Sequence, residues 1–428
     1  MIKSATAPTM TNPATAPKAP LQRLLSLDVV RGITIAFMIM VNNNGGPGSW
    51  HFMNHAEWNG LTPTDLVFPT FAFVIGVSVV YAFSARLARG ATRRELAVHT
   101  VQRAIILIFF GIFVNSFPFF HLAHMRFFGV LQRLAICYLV CGLFFLYDNR
   151  AWTKAAALVG ALVGYWLLIR WVPIPGVGVP GRDVPFMDMT QNLTSWIDRH
   201  VFPYHLYLYP PDHNVRDPEG LLSDLPAIGT TLMGMLAGLW LRTNRTVKAK
   251  TAGLAIGCIS SLAIGYLWSL EFPLNKNMWT SSFVLVAGGY SLLLLTLTYW
   301  AVEQMRWRKG WTWVWIVFGS NAIAAYMFSE LLPWPDCYAA KQQCAEMQRF
   351  SPSGNVAFTQ PFGACEHVNH DSRREYEAQG DMPVQQVQPG EVPVTSSGPP
   401  DARAKRQRNN QQRQNAKDGT AIPAPGMD

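Results

Sequence analysis

Nine apolar stretches of about 13 to 23 residues punctuate the first 332 positions, at 29–41, 65–84, 101–117, 127–147, 155–172, 225–241, 252–270, 280–302 and 311–332. Most are long enough to cross the roughly 30 Å hydrocarbon core of a bilayer as an α-helix. Neither the strict alternation of a half-buried strand nor a run of short β-rich segments is present. The pattern therefore predicts an all-α, polytopic integral membrane bundle of about nine spans. The first span is short and carries Arg31. After Pro333 no stretch is apolar enough to span.

Composition supports this reading. Half of the 428 residues are hydrophobic and only 14% are charged, against roughly 25% charged in soluble domains. Such a chain cannot coat a water-facing surface, which excludes an ordinary soluble two-domain enzyme. Six cysteines in 428 residues exclude a disulfide scaffold. The net charge of +9 is unevenly spread: residues 336–428 hold 10 Lys/Arg and 11 Asp/Glu, so the whole excess lies in the apolar part. Basic loops beside spans account for it without nucleic-acid binding.

The loops orient the spans. Arg86, Arg89, Arg93 and Arg94 fill one loop, Arg150 and Lys154 another, and Arg242, Arg245, Lys248 and Lys250 a third; Arg306, Arg308 and Lys309 precede the last span. Between them come loops poor in Lys and Arg: 42–64 has none, and Arg126 stands alone in the next. This alternation places the N-terminus and the basic loops in the cytoplasm. Residues 1–22 read as a flexible cytoplasmic arm, 23–332 as the membrane domain, and 333–428 as a polar, disordered tail rich in Gln, Arg, Asn and Pro. The long loop 173–223, with Trp196 and Tyr204, Tyr207 and Tyr209, falls outside and reads as a lid or as part of an acceptor site.

Ionisable groups at the spans are the candidates for chemistry. Asp28 and Arg31, at i and i+3 in SLDVVRG, face the same side of a helix, as an interface anchor or as part of a site. Asp65 opens the second span in TPTDLVFP and suits a helix cap. Arg103, Arg133 and Glu330 lie at or near span ends, where a snorkelling role suffices. Asn321, in FGSNAIAAY, suits helix–helix hydrogen bonding. The segment 41–69 concentrates Asn42, Asn43, Asn44, His51, His55, Glu57, Trp58 and Asn59. An imidazole there can accept and return a proton near neutral pH. Cys137, Cys141 and Cys258 sit within spans and read as packing residues; Cys337, Cys344 and Cys365 belong to the tail. No metal-ligand spacing, Walker loop or GxSxG elbow occurs, so no metal is expected.

The blocks SLDVVRG, VNNNGG, NHAEWNGLTPTDLVFPTFAFVIG, FFGVLQRLAICYL, DPEGLLSDLPAIGTTLMGMLAG and FGSNAIAAYMFSEL, in this order, resemble the heparan-α-glucosaminide N-acetyltransferase family and its bacterial relatives, over about residues 23–332. The resemblance implies a transmembrane acetyltransferase with acetyl-CoA as cytoplasmic donor and an amino sugar on the far side as acceptor. It also implies a bacterial cytoplasmic (inner) membrane location with the N-terminus inside; homo-oligomerisation stays open. The family's active-site histidine corresponds to His55 and its TxxD aspartate to Asp65. The asparagine of its VN motif corresponds to Asn42. Asp28, Arg31, Trp58 and Asn321 are expected, from the residues themselves, to support the site or bind substrate. His55 lies thirteen positions after Asn42, with an insertion around 43–49. The family pattern also continues with a further span where this chain has Pro335, Asp336, Cys337, Tyr338 and polar sequence.

A sugar transporter and a catalytically inactive relative are the competing readings, and the lack of a clear internal repeat favours the enzyme. The charge pattern predicts that single cysteines at positions 55 and 90 label from opposite faces of the membrane. Labelling of both from the same face would overturn the topology.

Overall fold

The computed structural model describes residues 24–43, 50–117, 120, 125–203, 205–209, 214–308 and 310–331, all within the compact unit Met1–Asn369. Asn44, Tyr204 and the whole tail with its three cysteines lie outside the described residues. Among the described residues eight helices are long and apolar enough to cross a bilayer, and a ninth candidate is a bent pair. The helices are α1 (Leu25–Asn42), α2 (Val67–Ala88), α3 (Arg93–Ser116), α4 (Val130–Tyr147), α5 (Ala151–Trp171), a short α6 (Leu193–Val201), α7 (Asp224–Leu241), α8 (Val247–Trp268), α9 (Ser281–Tyr299), α10 (Trp311–Ser320) and α11 (Ala322–Leu331). The all-helical membrane bundle expected from the apolar pattern is the observed architecture.

Local signals explain the boundaries. Helix α3 starts eight residues before its apolar run because Thr92 and Glu95 form a reciprocal cap: the Thr92 hydroxyl accepts the Glu95 N–H and Glu95 Oε2 accepts the Thr92 N–H at 3.0 Å. Helix α2 is preceded by a 3-10 turn, Pro63–Leu66, capped in the same manner by Thr62 and Asp65. Helix α9 runs into a π-helical turn, Trp300–Gln304.

Burial separates centre from periphery. About 70% of the apolar window is buried in α2, α7 and the α9 span, but only 22% in α3 and α8 and 28% in α5. The first three form the bundle's middle; the others present Ile105, Phe109, Ile256, Ile259 and Leu267 outward, as expected of lipid-facing helices. Lipid tails are as apolar as leucine, so close backbone approach rather than hydrophobic exclusion holds the middle together. A Cβ on Gly76 would stand 2.0 Å from the Thr231 carbonyl oxygen, and one on Gly234 1.9 Å from that of Phe73. Only glycine allows α2 and α7 to meet this closely.

The ninth predicted span is not straight. Helices α10 and α11 meet at 76° across Asn321. Gly319 is pressed against the Asp28 carbonyl of α1, the Ser320 hydroxyl and the Asn321 amide bond back to Ile316 and Val317, and the chain turns there. Asn321 thus hydrogen-bonds within its own helix, not across to a neighbour as expected. The loop 173–223 is a folded cap: it contributes α6, a two-residue antiparallel pairing of Leu208–Tyr209 with Asn214–Val215, and a hydrophobic cluster in which Ile174, Val184, Met187 and Leu193 pack with Tyr165 and Ile169 of α5.

Gly32 is the sharpest test of this packing. A Cβ there would fall 1.8 Å from the Trp315 carbonyl oxygen of α10. Gly32→Val is expected to part α1 from α10 and cost about 1–3 kcal/mol, as overpacking does, lowering the thermal midpoint in detergent. An unchanged midpoint would mean that the helices do not meet here.

Candidate active site

His55 lies in the loop that joins α1 to α2, between the 3-10 turn His51–Met53 and the turn that opens α2. Its Nδ1 is 2.7 Å from Asp65 Oδ1. Asp65 is fully buried, and its other oxygen, Oδ2, accepts the N–H of Ala56 at 3.2 Å and both the N–H and the hydroxyl of Thr62 at 3.0 Å. Capping and histidine-holding are therefore both done by Asp65, one oxygen each. A carboxylate only accepts, so Nδ1 carries the proton and donates it; Nε2 is left with its lone pair. A buried carboxylate that fixes an imidazole's tautomer and orientation is the arrangement of hydrolytic triads.

The loop between α8 and α9 closes the site. Gly60 N–H donates to the Leu274 carbonyl at 2.8 Å, and Asn275 Nδ2 donates to Asn59 Oδ1 at 3.1 Å. Lys276, which the sequence reading did not single out, is brought 3.0 Å from His55 Nδ1, 3.2 Å from Nε2 and 3.7 Å from Asp65 Oδ1. The His55 side chain is 53% exposed but sits in a recess with protein on several sides. Burial in that recess and then the charge of Lys276 push its pKa below the ordinary histidine value, against the opposing pull of Asp65 and Glu219. It is therefore a neutral base at neutral pH.

A second layer of buried charge lies beside it. Arg126 pairs with Asp217 and Glu219, its Nη2 at 2.5 Å from both, and Arg133, only 1% exposed, donates from Nε to Asp224 Oδ1 at 2.9 Å. Arg133 also reaches the carbonyls of Pro218 and Gly220 and the Ser223 hydroxyl. The snorkelling expected of Arg133 is therefore replaced by full burial: the Asp224 carboxylate at the start of α7, two carbonyls and the Ser223 hydroxyl of the cap surround it, so it need not reach water. Trp58 anchors the same cap. It is buried, donates its indole N–H to the Met187 carbonyl at 2.8 Å, and lies under the Arg216 guanidinium.

The remaining predicted residues fall in two other places. Asn42 donates to Glu330 Oε1 at 2.8 Å, which ties the end of α1 to α11. Asp28 and Arg31 form their expected pair, at 3.2 Å, near the start of α1, and Arg31 also donates to the Ser78 hydroxyl at 2.7 Å. Arg31 and Asn321 line a cavity of about 490 Å³, within the usual range for ligand pockets. Arg86 and Arg103 stand at the basic end of this cavity; Phe71, Leu131 and Leu134 make its apolar wall. Phe71 is six residues from Asp65 along the chain, about 9 Å of helical rise. The signal that could have found Lys276 and Arg126 was their isolation: each is a lone cation in a loop otherwise free of Lys and Arg.

The cap carries one expensive carboxyl. Asp198 is fully buried; Oδ1 accepts the Leu221 N–H at 2.9 Å, and Oδ2 has no partner among the described residues. Burial raises its pKa to about 7. The folded protein then holds a proton that the unfolded chain loses near pH 4, so this contribution to stability falls as pH rises from about 4 to 7. Asp198→Asn is expected to raise the thermal midpoint at about pH 8 and by clearly less at about pH 5. An equal shift at both pH values would mean that ionisation is not the cause.

Comparison with known proteins gives the family. The sequence profile described as "Heparan-alpha-glucosaminide N-acetyltransferase, catalytic" matches residues 23–272. The heparan-alpha-glucosaminide N-acetyltransferase of Homo sapiens is 30% identical over 357 residues, covering 72% of this chain and 53% of the relative. That of Mus musculus is 28% identical over 359 residues, covering 72% and 54%. The chain spans about half the length of these curated relatives. The matched stretch contains His55, Asp65, the buried cap charges and most of the cavity wall, and on it the chain belongs to the heparan-alpha-glucosaminide N-acetyltransferase family.

Proposed function

We propose that this chain is a transmembrane N-acetyltransferase that moves the acetyl group of acetyl-CoA onto an amino-sugar acceptor, with the acceptor at the His55 end. The observation that carries this reading is the 2.7 Å bond from His55 Nδ1 to the buried Asp65 carboxylate, which leaves Nε2 as an oriented base. As the acceptor nitrogen attacks the thioester carbonyl, Nε2 takes its proton, the C–S bond breaks, and the CoA sulfur recovers a proton from the imidazolium. A covalent route would use the same lone pair: Nε2 bonds the acetyl carbon as the C–S bond breaks and CoA leaves, and the acceptor nitrogen then displaces the imidazole and loses its proton to it.

The cavity supports a donor path from the opposite end. Arg31, Arg86 and Arg103 suit the phosphates of CoA, and the apolar wall suits its thioester arm. We place the basic end in the cytoplasm of a bacterial cell, on the charge asymmetry of the loops, and His55 on the far side of its cytoplasmic membrane. The 76° break at Asn321 is the one feature that favours a transporter, since broken helices often line transport sites. Counter-flow of labelled sugar without acetylation would establish that reading instead.

The test is transfer from labelled acetyl-CoA to a panel of amino sugars by the purified protein. His55→Ala is expected to fold normally, as judged by size-exclusion in detergent, and to lose transfer by at least about a hundredfold. His51→Ala, on an exposed turn, is expected to be much milder. Wild-type transfer by His55→Ala would end the catalytic assignment.

A further inference from the structure

Lys276 lies four residues past the profile match and 17% exposed, against the one imidazole that the proposed chemistry needs. Its Nζ is nearly equidistant from the two ring nitrogens, at 3.0 and 3.2 Å. An atom so placed lies against the ring, off the in-plane axis of either nitrogen. It does not occupy the Nε2 lone pair, and it does not compete with Asp65 for the Nδ1 proton. A cation in that position is attracted to a neutral imidazole face and repelled by an imidazolium.

The charged groups that face His55 are Asp65 at the start of α2, Lys276 from the α8–α9 loop and Glu219 from the cap; Lys276 itself also meets Glu219 and, from α4, Arg133. Glu219 is already compensated by Arg126 at 2.5 Å. One carboxylate, Asp65, is therefore left to balance two basic groups, and the recess favours one positive charge over two. The ordinary lysine is more basic than the ordinary histidine by about four pKa units, so the single proton resides on Lys276. Burial erodes that lead, while the nearby carboxylates of Asp65 and Glu219 restore part of it.

We propose that Lys276 is a positioning residue that carries the site's one positive charge against the His55 ring, so that His55 stays neutral with its Nε2 lone pair open to the reactant. The inference rests on the proposed function only in its last clause; the charge arrangement stands on the geometry alone. Lys276 does not replace Asp65, which keeps the Nδ1 proton. It excludes a proton from the imidazole until the acceptor's own proton arrives, and it then opposes the imidazolium, which favours onward release of that proton to the leaving sulfur.

The experiment reads His55 directly. Diethyl pyrocarbonate acylates neutral but not protonated imidazole, so the rate of His55 modification, followed by peptide mass spectrometry across pH, titrates the ring without any need for activity. In the wild-type protein modification is expected to persist to lower pH than in a free histidine peptide treated alongside. In Lys276→Met, Asp65 is left to draw a proton onto the ring, and the modification rate at about pH 6 is expected to fall several-fold while the rate at about pH 8 is unchanged. Lys276→Arg, which keeps the charge, is expected to restore much of the wild-type profile. The acid limb of kcat/KM is expected to move to higher pH in Lys276→Met in parallel.

A folded Lys276→Met protein with a wild-type modification profile would overturn the proposal. Should that variant not fold, a wild-type profile identical to that of the free peptide would overturn it equally. If the modification profile shifts as expected but the wild-type protein transfers no acetyl group to any acceptor, the acetyltransferase reading fails and the role of Lys276 stands.

Discussion

Asp65 is fully buried, and the site is organised around the separate tasks of its two oxygens. Oδ2 closes the turn that starts α2 by accepting from Thr62 and Ala56, and Oδ1 accepts from His55. The helix start and the imidazole orientation are thus one structural event. A carboxylate removed from water needs several donors to offset its desolvation. Here three come from the backbone and hydroxyl of its own loop, and the fourth is the group that it positions. The loop 54–62 is in turn fastened to the α8–α9 loop through Gly60 and Asn59, which brings Lys276 to the ring. Moving the carboxylate would release helix, imidazole and lysine together.

The same end of the bundle holds most of the buried ion pairs among the described residues, and they do structural work. Arg126 and Arg133 reach from the start of α4 into the segment 217–224 and bind carboxylates, carbonyls and a hydroxyl there. Buried pairs of this kind contribute little net stability but are costly to break singly. Their effect is specificity: the cap over His55 has one way to sit, and Trp58 adds a hydrogen bond to the same surface. The opposite end is different. There Arg31, Arg86 and Arg103 line a cavity, and Arg31 also pairs with Asp28 and Ser78.

Much of this was legible in the sequence. The nine apolar runs gave the order of the spans and matched eight of them as single helices, because a bilayer imposes a length on every helix that crosses it. The spacing of Asp28 and Arg31 gave their pairing, and TPTD gave the cap at Asp65. The block NHAEWNGLTPTDLVFP put His55 and Asp65 ten residues apart, and a capping turn is what folds such a separation into contact. The lone cations Arg126 and Lys276 were visible as exceptions to the charge pattern, though their meaning was not.

The tertiary structure decided what lies between segments distant in the chain. Lys276 is 221 positions from His55 and Glu330 is 288 from Asn42, and no local periodicity encodes such meetings. The break at Asn321 also escaped the sequence, since an apolar run reads as one helix until Gly319 is seen against the backbone of α1. Trp58, expected to support the site or bind substrate, is instead buried against the cap, where its indole N–H meets the Met187 carbonyl. Hydrophobic length is a property of each segment and is written locally; close approach and charge pairing belong to two segments at once, so they exist only after the helices have packed.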